Sequence, residues 1–125
     1  MSVLFNRPDN GEADDFKGPV LIWIEPRPDV PWHRAYHINR IISEESHYYD
    51  ISEIDNTTPE IIKRISDVDG IARIGIELTC VRISLRQNLD WEKAWPAIEK
   101  RIISMLMQFA REKDSEVECL ERLVH

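Results

Sequence analysis

The sequence predicts an α+β fold: a two-layer sandwich in which a small antiparallel sheet carries two main helices on one face, followed by a short C-terminal helical tail. Between Ala72 and Leu85, apolar residues recur at every second position, which is the period of strands with one apolar face. Between Trp91 and Phe109 they recur at spacings of three and four, the period of a helix with one apolar stripe. Because each element has one apolar surface to bury, the hairpin and the helix are expected to pack against each other.

These two patterns identify the residues expected in the core. On the strands they are Ala72, Ile74, Ile76, Leu78, Val81, Ile83 and Leu85. On the long helix they are Trp91, Trp95, Ile98, Ile102, Leu106 and Phe109. Asp90 stands just before this helix as its expected N-cap. Cys80, Arg82 and Arg86 fall on the polar side of the second strand, and we expect the two arginines to form a solvated face.

Composition and charge exclude several classes of protein. The chain has 125 residues, 42% of them hydrophobic and 31% charged, which suits one globular domain. Its net charge of -7 gives no general attraction to nucleic acid or anionic membranes, and neither is an expected partner. The first residues lack the pattern of an export signal, and no apolar run reaches a membrane span of about 18 residues. We therefore expect a cytoplasmic protein with reduced thiols at Cys80 and Cys119.

Three segments are expected along the chain. Residues 1–18 form a flexible, acidic N-terminal segment, residues 19–113 form the α+β domain, and residues 114–125 form the helical tail. The tail is either a separate short helix or an extension of the long one. Its apolar residues share one helical face: Val117, Leu120 and Val124.

The first half of the chain is expected to supply further strands. The short apolar run from Val20 to Ile24 predicts a first strand, and the prolines that follow place the next segment at an end or edge of the sheet. Residues 32–42 are compatible with a strand or with a helix that Asp29 would cap. We favour the strand because Trp, Tyr and Ile suit a pleated surface. Residues 47–51 form another strand or an ordered loop.

A short helix is predicted before the central hairpin. Thr58 is its expected N-cap and Pro59 its first residue, a position where the missing N–H of proline costs little. Its expected buried residues are Ile61, Ile62 and Ile65. Asp69 and Gly70 then end this unit and turn the chain into the hairpin.

A resemblance to a known family rests on three motifs in a fixed order. They are EP-x-P at Glu25, Pro26 and Pro28, VDGI at residues 68–71, and W-E-x-x-x-P-x-I-x-x-x-I at Trp91, Glu92, Pro96, Ile98 and Ile102. Across roughly residues 21–109, this order resembles the N-terminal domain of the Nfu/NifU iron–sulfur scaffold proteins. The chain departs from the family at Asp29-Val30-Pro31-Trp32, which replaces the usual Asn-Pro-Asn run.

The resemblance implies both a fold and a role. The fold is a small α+β domain with an antiparallel sheet and two helices on one side. The role is that of a non-enzymatic accessory or adaptor module, associated with iron–sulfur cluster assembly or delivery through protein–protein contacts. In that family a C-x-x-C motif in a separate domain holds the cluster, and this chain contains no C-x-x-C. The alternative is an interaction or oligomerisation domain unrelated to iron.

Candidate metal and catalytic residues are few. His33 and His37 would share an ion on a helix, but on a strand they lie about 13 Å apart, so we expect surface histidines. A hydrolase built on Cys80 and one of these histidines would need a third orienting group and an oxyanion site, and the sequence reveals neither. We expect no enzyme activity, no cofactor and no metal site.

A partner-binding site is expected in the proline-rich segment instead. Prolines restrict its backbone, so ordering it against a partner costs little conformational entropy. Trp32 supplies a large apolar anchor with an N–H donor, while Arg27 and Asp29 supply polar specificity. The alternative is that Trp32 packs into the sheet and fixes the loop.

Overall fold

The computed structural model describes residues 18–26 and 29–124. In chain order the elements are β1 (Ile22–Pro26), β2 (His33–Ile38), β3 (His47–Asp50), a 3-10 turn (Ile51–Glu53), α1 (Glu60–Ser66), β4 (Ile71–Glu77), β5 (Cys80–Leu85) and α2 (Trp91–Val124). The five strands form one antiparallel sheet in the order β1-β2-β5-β4-β3. The α+β class and the antiparallel sheet are therefore confirmed.

Both helices contribute to a single core on one face of the sheet. The side chains from α1 are Ile61, Ile62 and Ile65, and those from α2 are Trp95, Ile98, Ile102, Leu106 and Ala110. The sheet contributes alternate residues of each strand, among them Tyr36, Ile38, Ile74, Ile76, Val81, Ile83 and Leu85. Residues of the opposite parity point to the other side, which we call the open face.

The β4–β5 hairpin follows the predicted alternation at most positions. The prediction is wrong for Ala72 and Leu78. An irregularity in the strand register between Ile71 and Arg73 puts Ile71 in the core in place of Ala72. Leu78 lies in the two-residue turn between the strands, where its side chain is 51% exposed.

The first half of the chain forms strands, as favoured from the sequence. The ambiguous stretch after Pro31 is β2, which pairs with β1 on one side and β5 on the other. The predicted first strand lies two residues later than expected, and Pro26 ends it at the edge of the sheet, where a missing N–H is tolerated. Residues 47–50 form β3 at the opposite edge.

α1 begins one residue later than predicted. Its N-cap is Pro59, whose carbonyl accepts hydrogen bonds from the N–H groups of Ile62 and Lys63. The Thr58 hydroxyl does not cap the helix, since it accepts a hydrogen bond from the N–H of Asp55 at 3.0 Å. The prediction of Thr58 as N-cap is therefore wrong, because its side chain bonds backwards into the preceding turn.

α2 is one continuous helix of 34 residues, so the tail extends the long helix rather than forming a separate one. The Asp90 carboxylate accepts a hydrogen bond from the N–H of Lys93 at 3.4 Å, in the position predicted for an N-cap. Pro96 lies inside the helix, which continues past it. Farther along, the Arg40 guanidinium donates to both carboxylate oxygens of Asp114, at 3.0 and 3.1 Å, and ties this part of the helix to the end of β2.

Candidate functional site

The segment before β2 is held in place by three hydrogen bonds. The indole N–H of Trp95, on α2, donates to the carbonyl of Pro31 at 2.8 Å. The N–H of Leu85, at the end of β5, donates to the carbonyl of Trp32 at 2.8 Å. The N–H of His33 closes a turn onto the carbonyl of Val30 at 3.0 Å. Helix and sheet therefore fix the backbone that presents the Trp32 side chain.

Trp32 forms an aromatic pair with Trp91 at the start of α2. The ring centroids lie 5.3 Å apart and the ring planes are tilted by 50°. Both residues are half-buried, and the Trp91 indole N–H donates to the carbonyl of Arg86 at 2.9 Å. The backbone of Trp32 thus fixes the loop, and the residue as a whole remains partly exposed. We call this pair, with the neighbouring Asp29, Asp90 and Glu92, the Trp corner.

The residues predicted to bind a partner lie in different surroundings. Trp32 lies in the Trp corner as described. Asp29 is exposed in the turn that precedes it. Arg27 and Pro28 lie outside the described residues.

Beneath the Trp corner lies a polar network that the sequence analysis did not identify. The Glu99 carboxylate accepts hydrogen bonds from the Arg34 guanidinium and, at 3.4 Å, from the Tyr36 hydroxyl. The guanidinium also lies 4.7 Å from the centre of the Trp95 ring. Burial, followed by the Glu99 charge, raises the pKa of Tyr36. The available signal was Arg34 itself, a charged residue in the same strand alternation as Tyr36 and Ile38, which face the core.

A groove of about 540 Å³ adjoins the Trp corner through Arg86. It lies between the end of β3 and the turn that leads into β4. Three carboxylate residues line it, Asp50, Asp67 and Asp69, together with Arg86. The Arg86 guanidinium lies 3.4 Å from a carboxylate oxygen of Asp69, so the groove keeps an excess of negative charge. We call it the Asp groove.

The open face brings together the histidine and cysteine candidates. His37 lies opposite Cys80 in the β2–β5 ladder, and its Nε2 lies 2.7 Å from a carboxylate oxygen of Glu25. Trp23 stacks on the His37 ring at 5.5 Å. Glu25 is thus placed to orient the His37 ring, a contact that the sequence did not reveal. The Cys80 residue is 4% exposed, however, and a nucleophile so covered has little access to a substrate.

The two histidines do not converge. His33 contacts the Ser84 hydroxyl at 3.0 Å, whereas His37 contacts Glu25. Both are half-buried rather than the surface residues expected from the sequence. Within the described residues no three His, Cys, Asp or Glu side chains are grouped so as to hold a metal ion. Whether the chain binds zinc or a cluster stays a prediction.

Tyr48 covers the only glycine of the central hairpin that lies within a strand. The Tyr48 ring lies over Gly75 of β4, at the place a Cβ atom would occupy. Its hydroxyl donates to Glu77 at 3.2 Å, and Glu77 also accepts from Arg82 at 3.0 Å. Partial burial and the Glu77 hydrogen bond raise the pKa of Tyr48. Arg82 was expected on a solvated face, and in the structure its guanidinium is paired with Glu77.

The comparisons with known proteins bear on the fold. Protein SAV1430 from Staphylococcus aureus, known from an X-ray crystal structure, matches this chain with a TM-score of 0.53 and 14% sequence identity. The match covers 66% of this chain and 93% of that chain. At this identity the likeness supports the α+β fold alone. No protein-family model matches the chain, and no curated protein matches it. Among the described residues, no helix is both long and apolar enough to span a bilayer.

Proposed function

We propose that this chain is a non-enzymatic protein-binding module that docks its partner at the Trp corner. One observation carries the proposal: the partly exposed Trp32–Trp91 pair stands on a backbone that is already fixed by hydrogen bonds from both α2 and β5. Exposed tryptophans are the side chains that most often dominate interface energetics. A site whose backbone is ordered before binding loses less conformational entropy when the partner arrives.

Trp32 is suited to this role because its side chain and its backbone have separate tasks. The hydrogen bonds that fix the loop are made by backbone atoms and by the Trp95 indole, so they remain when the Trp32 ring is removed. Truncation of the ring removes one aromatic contact, which contributes about 0.5–1.5 kcal/mol to folding in addition to the partial burial of the ring. A binding anchor of this kind contributes about 2 kcal/mol or more to affinity.

We further propose that the partner belongs to iron–sulfur cluster assembly or delivery. The support is the order of the EP-x-P, VDGI and W-E-x-x-x-P motifs, which resembles the Nfu/NifU N-terminal domain. An antiparallel sheet with two helices on one side is the architecture which that resemblance implies. The competing proposal is an interaction domain with no connection to iron.

Affinity capture from a native extract tests both statements. The full chain is immobilised as wild type, Trp32→Ala and Trp23→Ala, and the captured proteins are identified and quantified by mass spectrometry. Trp23 is the matched control, because it is also half-buried but lies on the open face against His37. We expect a set of proteins that Trp32→Ala loses by about 30-fold and Trp23→Ala retains, which is the fold-change for about 2 kcal/mol.

The identity of the lost proteins then separates the two proposals. Cluster-assembly or cluster-recipient proteins in that set support the role in iron–sulfur chemistry, and their absence supports the alternative. Equal capture by Trp32→Ala and wild type would refute docking at the Trp corner. Thermal melts of all three proteins check the fold, and a large loss of melting temperature for Trp32→Ala would identify Trp32 as a core residue.

A further inference from the structure

The Trp corner and the Asp groove meet at Arg86, and both are rich in carboxylates. Arg86 connects them: its carbonyl accepts the Trp91 indole N–H, and its guanidinium lines the Asp groove. Among the described residues around this surface, six are acidic: Asp29, Asp50, Asp67, Asp69, Asp90 and Glu92. Three are basic: Arg73, Arg86 and Lys93. The basic residues each contact an acidic member of this group: Asp50, Asp69 and Asp90 respectively. An excess of negative charge remains.

We propose that the partner segment which occupies this surface is basic, with an arginine or lysine side chain placed against the Trp32–Trp91 pair and further cationic residues in the Asp groove. This inference rests on the proposed function, because it names the chemistry of the partner at the same site.

The aromatic pair is suited to a cation. Tryptophan has the most favourable ring for cation–π contact, and both members of the Trp32–Trp91 pair are partly exposed. The same fold already uses this interaction, since the Arg34 guanidinium lies over the Trp95 ring, 4.7 Å from its centre. The positive end of the α2 dipole would oppose a cation, but the carboxylates of Asp90 and Glu92 lie at that helix end and offset it.

The Asp groove should attract further basic residues of the same partner segment. Asp67 and Asp69 are exposed on the turn after α1, and the Asp69 side chain is 94% exposed even with Arg86 beside it. Carboxylates that remain hydrated attract cationic partners at long range and raise the rate of encounter. The net charge of -7 on the whole chain favours the same class of partner.

Peptide binding to the full chain tests the inference directly. The probes are three capped decapeptides: alternating Arg and Gly, alternating Glu and Gly, and alternating Leu and Ser. The readout is the set of four tryptophan indole N–H signals in a nitrogen-15 NMR spectrum, which distinguishes the Trp corner from Trp23 on the open face. Weak binding, with Kd of about 1 mM, is sufficient for this readout.

We expect the Arg-Gly peptide to shift the Trp32 and Trp91 signals and to leave that of Trp23 unchanged. Its affinity should fall with added salt, and the variant Asp67→Asn/Asp69→Asn should weaken it by about fivefold at low salt. The matched control is Glu44→Gln/Glu45→Gln, which removes the same charge from exposed residues beyond the other end of β2 and should leave affinity within about twofold.

Several outcomes overturn the inference. These are no shift at the Trp corner, equal binding of the Glu-Gly or Leu-Ser peptide, or equal weakening by the two charge-removing variants. The proposed function has a separate test, because it fails when Trp32→Ala retains all captured proteins. A basic peptide that fails to bind, together with partners lost on Trp32→Ala, would refute the basic partner and leave the docking site standing.

Discussion

Truncation of Trp95 should reveal how strongly the start of α2 is held to the sheet. Trp95 is 2% exposed, and replacement of a buried tryptophan by alanine costs about 3–5 kcal/mol from lost burial and the cavity left behind. Two specific contacts disappear as well: the hydrogen bond to the Pro31 carbonyl, at about 1 kcal/mol, and the Arg34 contact with the ring, at about 0.5 kcal/mol. We therefore expect Trp95→Ala to lower the free energy of unfolding by about 4.5–6.5 kcal/mol.

Trp95→Phe separates the two kinds of loss. It keeps an aromatic ring under Arg34 but removes the indole N–H and part of the volume, so we expect a loss of about 2 kcal/mol. The amide hydrogen of His33, bonded to Val30 in the adjoining turn, should exchange faster in this variant because the Pro31 anchor is gone.

The assay is urea denaturation at 25 °C, followed by far-ultraviolet circular dichroism, with the slope of the transition compared among the three proteins. A loss below about 1 kcal/mol for Trp95→Ala would refute the assignment of the apolar stripe on α2. Equal losses for the alanine and phenylalanine variants would refute a separate contribution from ring burial.

Three further predictions use the same assay. Gly75→Ala should cost about 1–3 kcal/mol of stability, because the new methyl group displaces the Tyr48 ring. The same displacement should lower the pKa of Tyr48 toward the ordinary tyrosine value. The control Gly18→Ala, with nothing within 4 Å of the new methyl group, should change stability by less than about 0.5 kcal/mol. Gly70→Ala should cost more than about 1 kcal/mol, because Gly70 has a φ of 102° that alanine adopts poorly. The raised pKa of Tyr36 means that the unfolded chain loses this proton first, so stability should fall as pH rises above about 10, and Tyr36→Phe should make that fall shallower. A pH dependence identical in the two proteins would contradict the last point.

The hairpin and the long helix were predictable because their patterns repeat. Alternation over β5 and the three-and-four spacing over α2 both follow from burial on a single face, and burial is what the structure shows at Val81, Ile83 and Ile102. The alternation fails at two single positions of the hairpin, Ala72 and Leu78. The register irregularity beside Ile71 and the turn at Leu78 depend on how β4 pairs with β5, which residue type does not reveal.

The candidate site was predictable only in part. Trp32 stood out because it follows a proline-rich segment, yet its partner Trp91 was assigned to the core from its place on the helix stripe. That residue is half-buried, since it lies on the first turn, where the helix meets the rim of the sheet. Contacts between distant segments, such as Arg34 with Glu99 or His37 with Glu25, require the strand order and could not be inferred from spacing.

The strand order also has a consequence for how the chain folds. β1 pairs with β2, while β3 pairs with β4 and β4 with β5, so the sheet consists of two locally connected parts. The pairing of β2 with β5 joins them, and there His33 contacts Ser84 across 51 residues of sequence. Closing a loop of that length costs about 3.5 kcal/mol of chain entropy before those contacts form.

Formation of the β2–β5 pair should therefore limit the folding rate. In stopped-flow experiments Val81→Ala, at this junction, should mainly slow refolding, whereas Ile22→Ala, on the edge strand, should mainly accelerate unfolding. The reverse result would place the kinetic barrier in one of the two local parts. On this view β2 and β5, which are neighbours in the interior of the finished sheet, are the last strands to pair during folding.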